Sequence, residues 1–320
     1  MLVDSFGRKI TYLRVSVTDR CNFRCRYCFS IKNWKKLGHE DILRFEELLE
    51  VIKVGVSLGI KKVRVTGGEP LVRKGLEYFI KKLSGLSGIE DLGLTTNGYF
   101  LEDLGRELKK AGLKRINISL DTLDRDKFKW LTGVDGLEKV LKGIESALKL
   151  GFDPVKINTV VIKGFNDEEV IRLASLTLDL PVEVRFIEFM PVGQNPFWDE
   201  RHVITGESIK RRLEQVESLI PLPKFKGAPS KVFKWKKAKG KIGFITPLSN
   251  PFCEECNRLR ITADGRIRPC LFSNFEINLK PVLREGKGSL RDVFLEAVRK
   301  KPEKISFLES TSRYMRSIGG

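Results

Sequence analysis

The sequence predicts an α/β fold: an incomplete (β/α)6 barrel of the TIM type, followed by a C-terminal, partly antiparallel β region. Three observations point there. Six β-type runs alternate with helical runs between residues 11 and 189, and such alternation builds a parallel sheet with helices outside. The C-terminal tips of those runs collect polar and glycine residues: Thr18-Asp19, Thr66-Gly67-Gly68-Glu69, Thr95-Thr96-Asn97-Gly98, Ser119 with Asp121, and Glu188 with Met190. Parallel α/β folds place their sites at such tips. No G-x-G-x-x-G follows the first strand, which disfavours an open dinucleotide-binding sheet.

Residues 11–17 alternate apolar and polar side chains with β-branched enrichment, the pattern of a strand. Ile42, Phe45, Leu48, Leu49 and Ile52 then recur at helical spacing, and Gly59 is a stop signal. Strands at 61–66, 90–96, 115–120 and 155–162 follow, each trailed by a helix: 71–83, 101–111, the run from Leu137 to Leu148, and 167–178. A sixth strand spans 182–189. After Pro191 the character changes: a loop over 191–204, a short helix over 205–213, and a lysine-rich stretch from Lys224 to Lys241 that reads as a solvated hairpin face. Short β-type runs at 243–246 and 259–262 precede Asp264-Gly265, a hairpin turn. Ser289-Leu290-Arg291-Asp292 is a capping box that opens an amphipathic helix. The expected division is a barrel over 1–215 and a second region over 216–320 that ends in Gly319-Gly320.

The 320 residues, 41% of them hydrophobic, suffice for a barrel-sized core. No run reaches the roughly 18 apolar residues of a membrane span, and the first residues have no signal-peptide core. Both predict a cytoplasmic protein. The net charge of +18 fits general solubility or non-specific attraction to nucleic acid, and equally an anionic substrate such as a nucleoside triphosphate.

Chemistry concentrates in six cysteines. Cys21, Cys25 and Cys28 form C-x3-C-x2-C just after the first strand, and Cys253, Cys256 and Cys270 form C-x2-C-x13-C. In a chain this long without an export signal, clustered cysteines are metal or redox ligands rather than a disulfide framework. Cysteine thiolates hold iron–sulfur clusters, and a four-iron cluster takes four ligands. Three local ligands therefore leave one iron open. A zinc ribbon short of one ligand is the competing reading of the second set, with His202 the one plausible nitrogen donor nearby.

C-x3-C-x2-C with Tyr27 before its last cysteine, and Thr66-Gly67-Gly68-Glu69-Pro70 after the second strand, resemble the two hallmarks of the radical S-adenosylmethionine (SAM) enzymes. Phe252-Cys253-Glu254-Glu255-Cys256-Asn257-Arg258-Leu259-Arg260, Cys270-Leu271-Phe272, Asp4-Ser5-Phe6-Gly7-Arg8, Arg185-Phe186-Ile187-Glu188-Phe189-Met190 and the Gly-Gly tail resemble one family among them, the GTP 3′,8-cyclases of molybdenum cofactor biosynthesis. This resemblance implies two 4Fe–4S clusters, one on each cysteine set, with SAM as cofactor. It implies a 5′-deoxyadenosyl radical that takes the ribose 3′ hydrogen of GTP, whose carbon then attacks C8 of guanine. Tyr27, Gly68, Ser119 and Met190 resemble the SAM contacts. Arg14, Arg64, Thr95, Lys156, Arg258 and Arg260 resemble the GTP contacts, with Lys62 adding positive charge nearby. No side-chain acid or base is implied as catalytic. The partners implied are GTP, a ferredoxin- or flavodoxin-like electron donor and a downstream enzyme that forms cyclic pyranopterin. A homodimer is admitted; nucleic acid and membrane are not expected partners.

Two rivals carry different expectations. A zinc-containing nucleic-acid-binding protein accounts for the charge and the C-x2-C pair, but not for C-x3-C-x2-C with Gly67-Gly68-Glu69-Pro70. A twin-cluster radical enzyme that modifies peptides shares the first motif, but needs neither Asn257-Arg258-Leu259-Arg260 nor the Gly-Gly tail. Metal analysis of anaerobically purified protein separates the first: about two zinc ions per chain without inorganic sulfide would decide for it.

Overall fold

Six parallel strands form the core: β1 (Tyr12–Ser16), β2 (Lys62–Thr66), β3 (Asp91–Thr96), β4 (Arg115–Ser119), β5 (Val155–Val161) and β6 (Val182–Glu188). They lie side by side in sequence order. This computed structural model describes residues 1–28, 37–193, 195–223, 227–305 and 311–319. Helices α1 (Phe45–Ser57), α2 (Leu76–Ser84), α3 (Leu101–Lys110), α4 (Arg125–Thr132), α5 (Leu137–Lys149) and α6 (Val170–Asp179) join the strands. Side chains alternate faces along a strand. In β1, Leu13 and Val15 are fully buried in the apolar core, while Tyr12 and Arg14 line a cavity on the other face.

α4 was not expected from the sequence. Its signals are nonetheless present: the Asp124 carboxylate accepts from Asp126 N and Lys127 N, both at 2.9 Å, and Gly133 closes the helix in the left-handed region. With a buried apolar face of only Phe128 and Leu131, this eight-residue helix has too little periodicity to stand out.

Beyond α7 (Gly206–Glu214), the remaining strands are β7 (Ile220–Pro221), β8 (Lys231–Lys234), β9 (Lys241–Ile245), β10 (Arg258–Ile261), β11 (Arg266–Arg268) and β12 (Ile277–Asn278). The outer ladders β7–β8–β9 and β10–β11–β12 are antiparallel, as expected. The junctions with the core differ: β9 joins β6 and β10 joins β1, both in parallel. One sheet therefore runs β12-β11-β10-β1-β2-β3-β4-β5-β6-β9-β8-β7, and its ends do not pair among the described residues, which leaves the barrel incomplete. No break in the sheet marks residue 215. The C-terminal region instead clasps both edges of the parallel core.

Helices α8 (Lys280–Glu285), α9 (Leu290–Arg299) and α10 (Met315–Ile318) complete the described chain. Val293, Phe294 and Ala297 of α9 share one core with Leu48, Val51 and Ile52 of α1. Ser289 Oγ accepts from Asp292 N at 3.1 Å, the expected cap. Ser289→Ala is expected to cost about 1 kcal/mol in urea unfolding; an unchanged midpoint would show that the cap contributes nothing. No helix among the described residues is long and apolar enough to cross a membrane.

Candidate active site

The first cysteine loop is held by backbone contact with the glycine motif. Gly68 N donates to Thr18 O at 2.6 Å, and Glu69 N to Arg20 O at 2.7 Å. A Cβ on Gly68 would lie 2.3 Å from Arg20 O, so only glycine lets the two chains approach this closely. Glu69, fully buried, accepts from Leu71 N, Thr96 Oγ1 and Asn97 N at 3.0, 2.6 and 2.6 Å. Burial lifts its carboxyl to about 7, against the pull of those bonds. Asn97 Nδ2 in turn donates to Asn22 Oδ1 at 2.8 Å and sits 3.9 Å from Cys21 Sγ. On the other side, Arg24 N and Arg26 N donate to Thr132 O and Leu131 O at the end of α4, at 2.7 and 3.0 Å. α4 is thus part of the wall of this loop.

Tyr27 OH donates to Asp121 Oδ2 at 2.7 Å, and Asp121 Oδ1 accepts from Val160 N at 2.8 Å. Asp121, one of the polar groups at the strand tips, is a buried link between the cysteine loop and β5. Burial raises its carboxyl to about 6. The three thiols are free and face one another electrostatically. Burial pushes Cys21 up to about 12 and Cys28 up to about 11, and holds Cys25 well above its ordinary value. Thiolates in such a place need a cationic partner, and a bound metal centre deprotonates coordinating thiols outright. The donor set therefore fits an iron–sulfur cluster.

The second set is built by the edge strands. Cys256 N donates to Cys253 O at 3.0 Å, and Cys270 follows β11, the antiparallel partner of β10. Arg8 Nη1 donates to Cys253 O at 2.8 Å, while its Nε pairs with Asp4 at 2.6 Å. Lys301 Nζ donates to Arg258 O and Pro269 O at 2.9 and 2.7 Å. Burial raises the Cys253 thiol; at Cys256, burial is outweighed by Lys301 and Arg258, and the thiol falls below its usual value. These three thiols are likewise free, with Cys270 and Cys256 acting electrostatically on Cys253, and they fit a second cluster by the same reasoning. His202, the candidate nitrogen ligand, stacks on Phe197 at 5.9 Å.

Both halves meet at a cavity of about 950 Å3. Its lining includes Cys253, Cys256 and Cys270 together with Arg14, Arg64, Lys156, Arg258, Arg260 and Met190. Parallel register explains the gathering: Arg14 is level with Arg64 on one side and Arg260 on the other. Thr95 is level with Asn117, and Asn117 with Lys156. Thr95 Oγ1, Arg64 Nη1 and Asn158 Oδ1 are buried without a hydrogen-bond partner among the described residues. Burial, and then repulsion from Arg14 and Arg258, bring the Arg260 guanidinium down to about 9. Burial, and then Arg185, lower Lys156 to about 8 although Glu183 lies 2.6 Å away. So many crowded cations match a polyanionic ligand.

The predicted SAM residues divide. Met190 lines the cavity, Tyr27 belongs to the first cysteine loop, Gly68 packs against it, and Ser119 stands at the tip of β4, level with Asn158. Sequence reasoning did not single out Glu183, which binds both Lys156 and Arg185, nor Lys234 and Lys241, which line the cavity although the lysine stretch was expected to face solvent. Lys224 lies outside the described residues. The positions of Glu183, Lys234 and Lys241 on β6, β8 and β9 give the only signal for them. The C-terminal tail reaches the same place. Arg316 is buried and donates to Asp19 O from Nε and Nη2 at 3.1 and 2.7 Å, and Arg260 Nη1 donates to Gly319 O at 2.6 Å. Gly320 lies outside the described residues.

Comparison with known proteins accords with this arrangement. Residues 15–177 match the model of the radical SAM superfamily, and residues 182–307 match Molybdenum Cofactor Synthesis C. The chain is 46% identical over 321 residues to the GTP 3′,8-cyclase of Alkaliphilus metalliredigens, covering 99% of each chain. It is 46% identical over 323 residues to that of Pelotomaculum thermopropionicum, again covering 99% of each. Among solved structures, Streptococcus suis SuiB bound to S-adenosylmethionine is similar in fold, with a TM-score of 0.64 at 16% identity over 91% of this chain and 68% of that one.

Proposed function

The chain belongs to the radical SAM superfamily and, within it, to the GTP 3′,8-cyclases, and from that premise we propose how its residues carry the reaction. The enzyme converts GTP to (8S)-3′,8-cyclo-7,8-dihydroguanosine 5′-triphosphate, an early step of molybdenum cofactor biosynthesis. In our reading, Cys21, Cys25 and Cys28 hold one 4Fe–4S cluster, and Cys253, Cys256 and Cys270 hold the other. Together with SAM, these groups supply the one-electron chemistry that removes the ribose 3′ hydrogen.

The chain's own part is placement. Glu69 and Asn97 fix the first cysteine loop through Asn22, and Tyr27, Gly68, Ser119 and Met190 would surround SAM. Arg14, Arg64, Thr95, Lys156, Arg258 and Arg260 would hold GTP; fixed guanidinium forks suit phosphate and base edges. A nucleotide held on several strands at once is kept in the near-attack geometry that cyclisation needs. The single observation that carries this reading is that one arginine-lined cavity also contains the second cysteine set. The expected division near residue 215 then separates two roles. The barrel builds the first cluster loop, and the edge strands bring the second set over the same cavity. A ferredoxin- or flavodoxin-like donor and a downstream enzyme forming cyclic pyranopterin complete the scheme, and a homodimer is compatible with it.

The test is anaerobic incubation of reduced enzyme with SAM and GTP. The reading predicts the cyclised product and GTP-dependent formation of 5′-deoxyadenosine; 5′-deoxyadenosine without product, and independent of GTP, would contradict it. Cys270→Ser is expected to lower iron from about eight to about four per chain and to abolish the product. Full iron content in that variant would remove Cys270 as a ligand.

A further inference from the structure

Tyr12 has no role in the scheme above, yet it lines the same cavity as the arginines. Its side chain faces the cavity from β1, level with Lys62 on β2 and Arg258 on β10. Arg64 Nε donates to its hydroxyl oxygen at 3.4 Å, and Arg14 acts on it electrostatically. The Arg258 guanidinium lies 5.8 Å from its ring centroid. Arg185 on β6 feels its charge as well. Among the described residues, the carboxylates that line the same cavity are already engaged, Glu183 by Lys156 and Arg185 at 2.6 and 2.5 Å and Asp91 by Arg115 at 2.7 Å. Arg258 and Arg260 otherwise donate to the backbone carbonyls of Gly227 and Gly319. A phenol oxygen accepts hydrogen bonds; with the Arg64 guanidinium donating to it and Arg258 beside its ring, the arrangement favours its anionic form.

We propose that Tyr12 is the internal counter-ion of the arginine cluster in the empty enzyme, and that GTP binding takes up a proton at its hydroxyl. This rests on GTP being the ligand of the cavity. Burial by itself would raise the phenol; Arg64, Arg14 and Arg258 outweigh it and bring it down to about 7. When the triphosphate enters, its negative charge takes over the arginines, the phenol's value rises, and the neutral hydroxyl becomes a donor to the nucleotide. The sign follows from linkage: the complex holds the proton more tightly than the free enzyme, so affinity falls as pH rises above the free-enzyme value. Tyr12 is thus a substrate-positioning residue that also limits the repulsion among the arginines before substrate arrives.

The experiment is calorimetric titration of anaerobic holoenzyme with GTP, without SAM, in two buffers of different protonation enthalpy. Wild type is expected to take up close to one proton per GTP at pH 8 and to lose affinity about fivefold from pH 7 to pH 8. Subtracting the Tyr12→Phe titration removes contributions from the nucleotide's own phosphate, and Tyr12→Phe is expected to lack both the uptake and that slope. Replacing Tyr12 by the more acidic 3-fluorotyrosine, which preserves shape, should move the break to lower pH. Equal uptake in Tyr12→Phe, or an unmoved break with 3-fluorotyrosine, would overturn the proposal. Failure of wild type to bind GTP at all would instead overturn the reading on which it rests.

Discussion

Gly68→Ala is expected to disable the first cluster while leaving the second in place. The added Cβ would meet Arg20 O at 2.3 Å, and a backbone carbonyl cannot rotate away as a side-chain end can. Overpacking of this kind costs about 1–3 kcal/mol. Here the strain falls on the segment between Thr18 and Cys21, which is fixed on both sides by the Gly68 and Glu69 amides and by Asn97. The loop must move, and a displacement of about 1 Å at a reacting centre costs about a hundredfold in rate. Iron should fall from about eight towards about four per chain, GTP binding should persist, and 5′-deoxyadenosine formation should drop at least about a hundredfold. Full iron content with wild-type cleavage of SAM would show that the glycine contact does not set the loop.

Arg260→Ala is expected to weaken GTP binding by about 10- to 100-fold, the loss of hydrogen bonds to a charged group worth about 1.5–3 kcal/mol. Its effect on folding should have the opposite sign. Arg14 and Arg258 repel Arg260 in the empty cavity, so removing it should leave thermal stability equal or higher. Arg260→Lys keeps the charge but not the fork, and should recover only part of the affinity. Equilibrium dialysis of anaerobic protein against GTP measures this; binding by Arg260→Ala within about twofold of wild type would exclude Arg260 from the nucleotide site. Because Arg260 also donates to Gly319 O, the variant should in addition become more sensitive to proteases at its C-terminus.

The parallel core was legible because most of its strands are short apolar runs trailed by a periodic helix, and both cysteine sets declare themselves by spacing alone. What the sequence could not show is how the edge strands connect. β9 and β10 are brief runs whose partners, β6 and β1, lie far away in the chain, and local pattern says nothing of a pairing decided by packing. That pairing is what sets Arg258 and Arg260 level with Tyr12 and Arg14. Glu183, Arg185 and Tyr12 went unassigned for a related reason: within their own strands they are ordinary alternating polar positions, and their meaning appears only when the sheet curls them towards one another. Asp121 follows a strand and its partner Tyr27 lies 94 positions earlier, so local pattern does not show the link. Glu188 is similar, a buried carboxylate that accepts from Gly206 N, Leu248 N and Ser249 N and so ties α7 and the turn after β9 to the end of β6.

The central claim is that one cavity presents GTP to the radical chemistry of the first cluster while the second cysteine set holds its other end. The most direct measurement uses GTP carrying deuterium at ribose C3′, incubated with reduced holoenzyme and SAM, with mass analysis of the 5′-deoxyadenosine. The account predicts deuterium in the 5′-deoxyadenosine and a cyclised triphosphate formed alongside it. Unlabelled 5′-deoxyadenosine, appearing at the same rate with or without GTP, would contradict it.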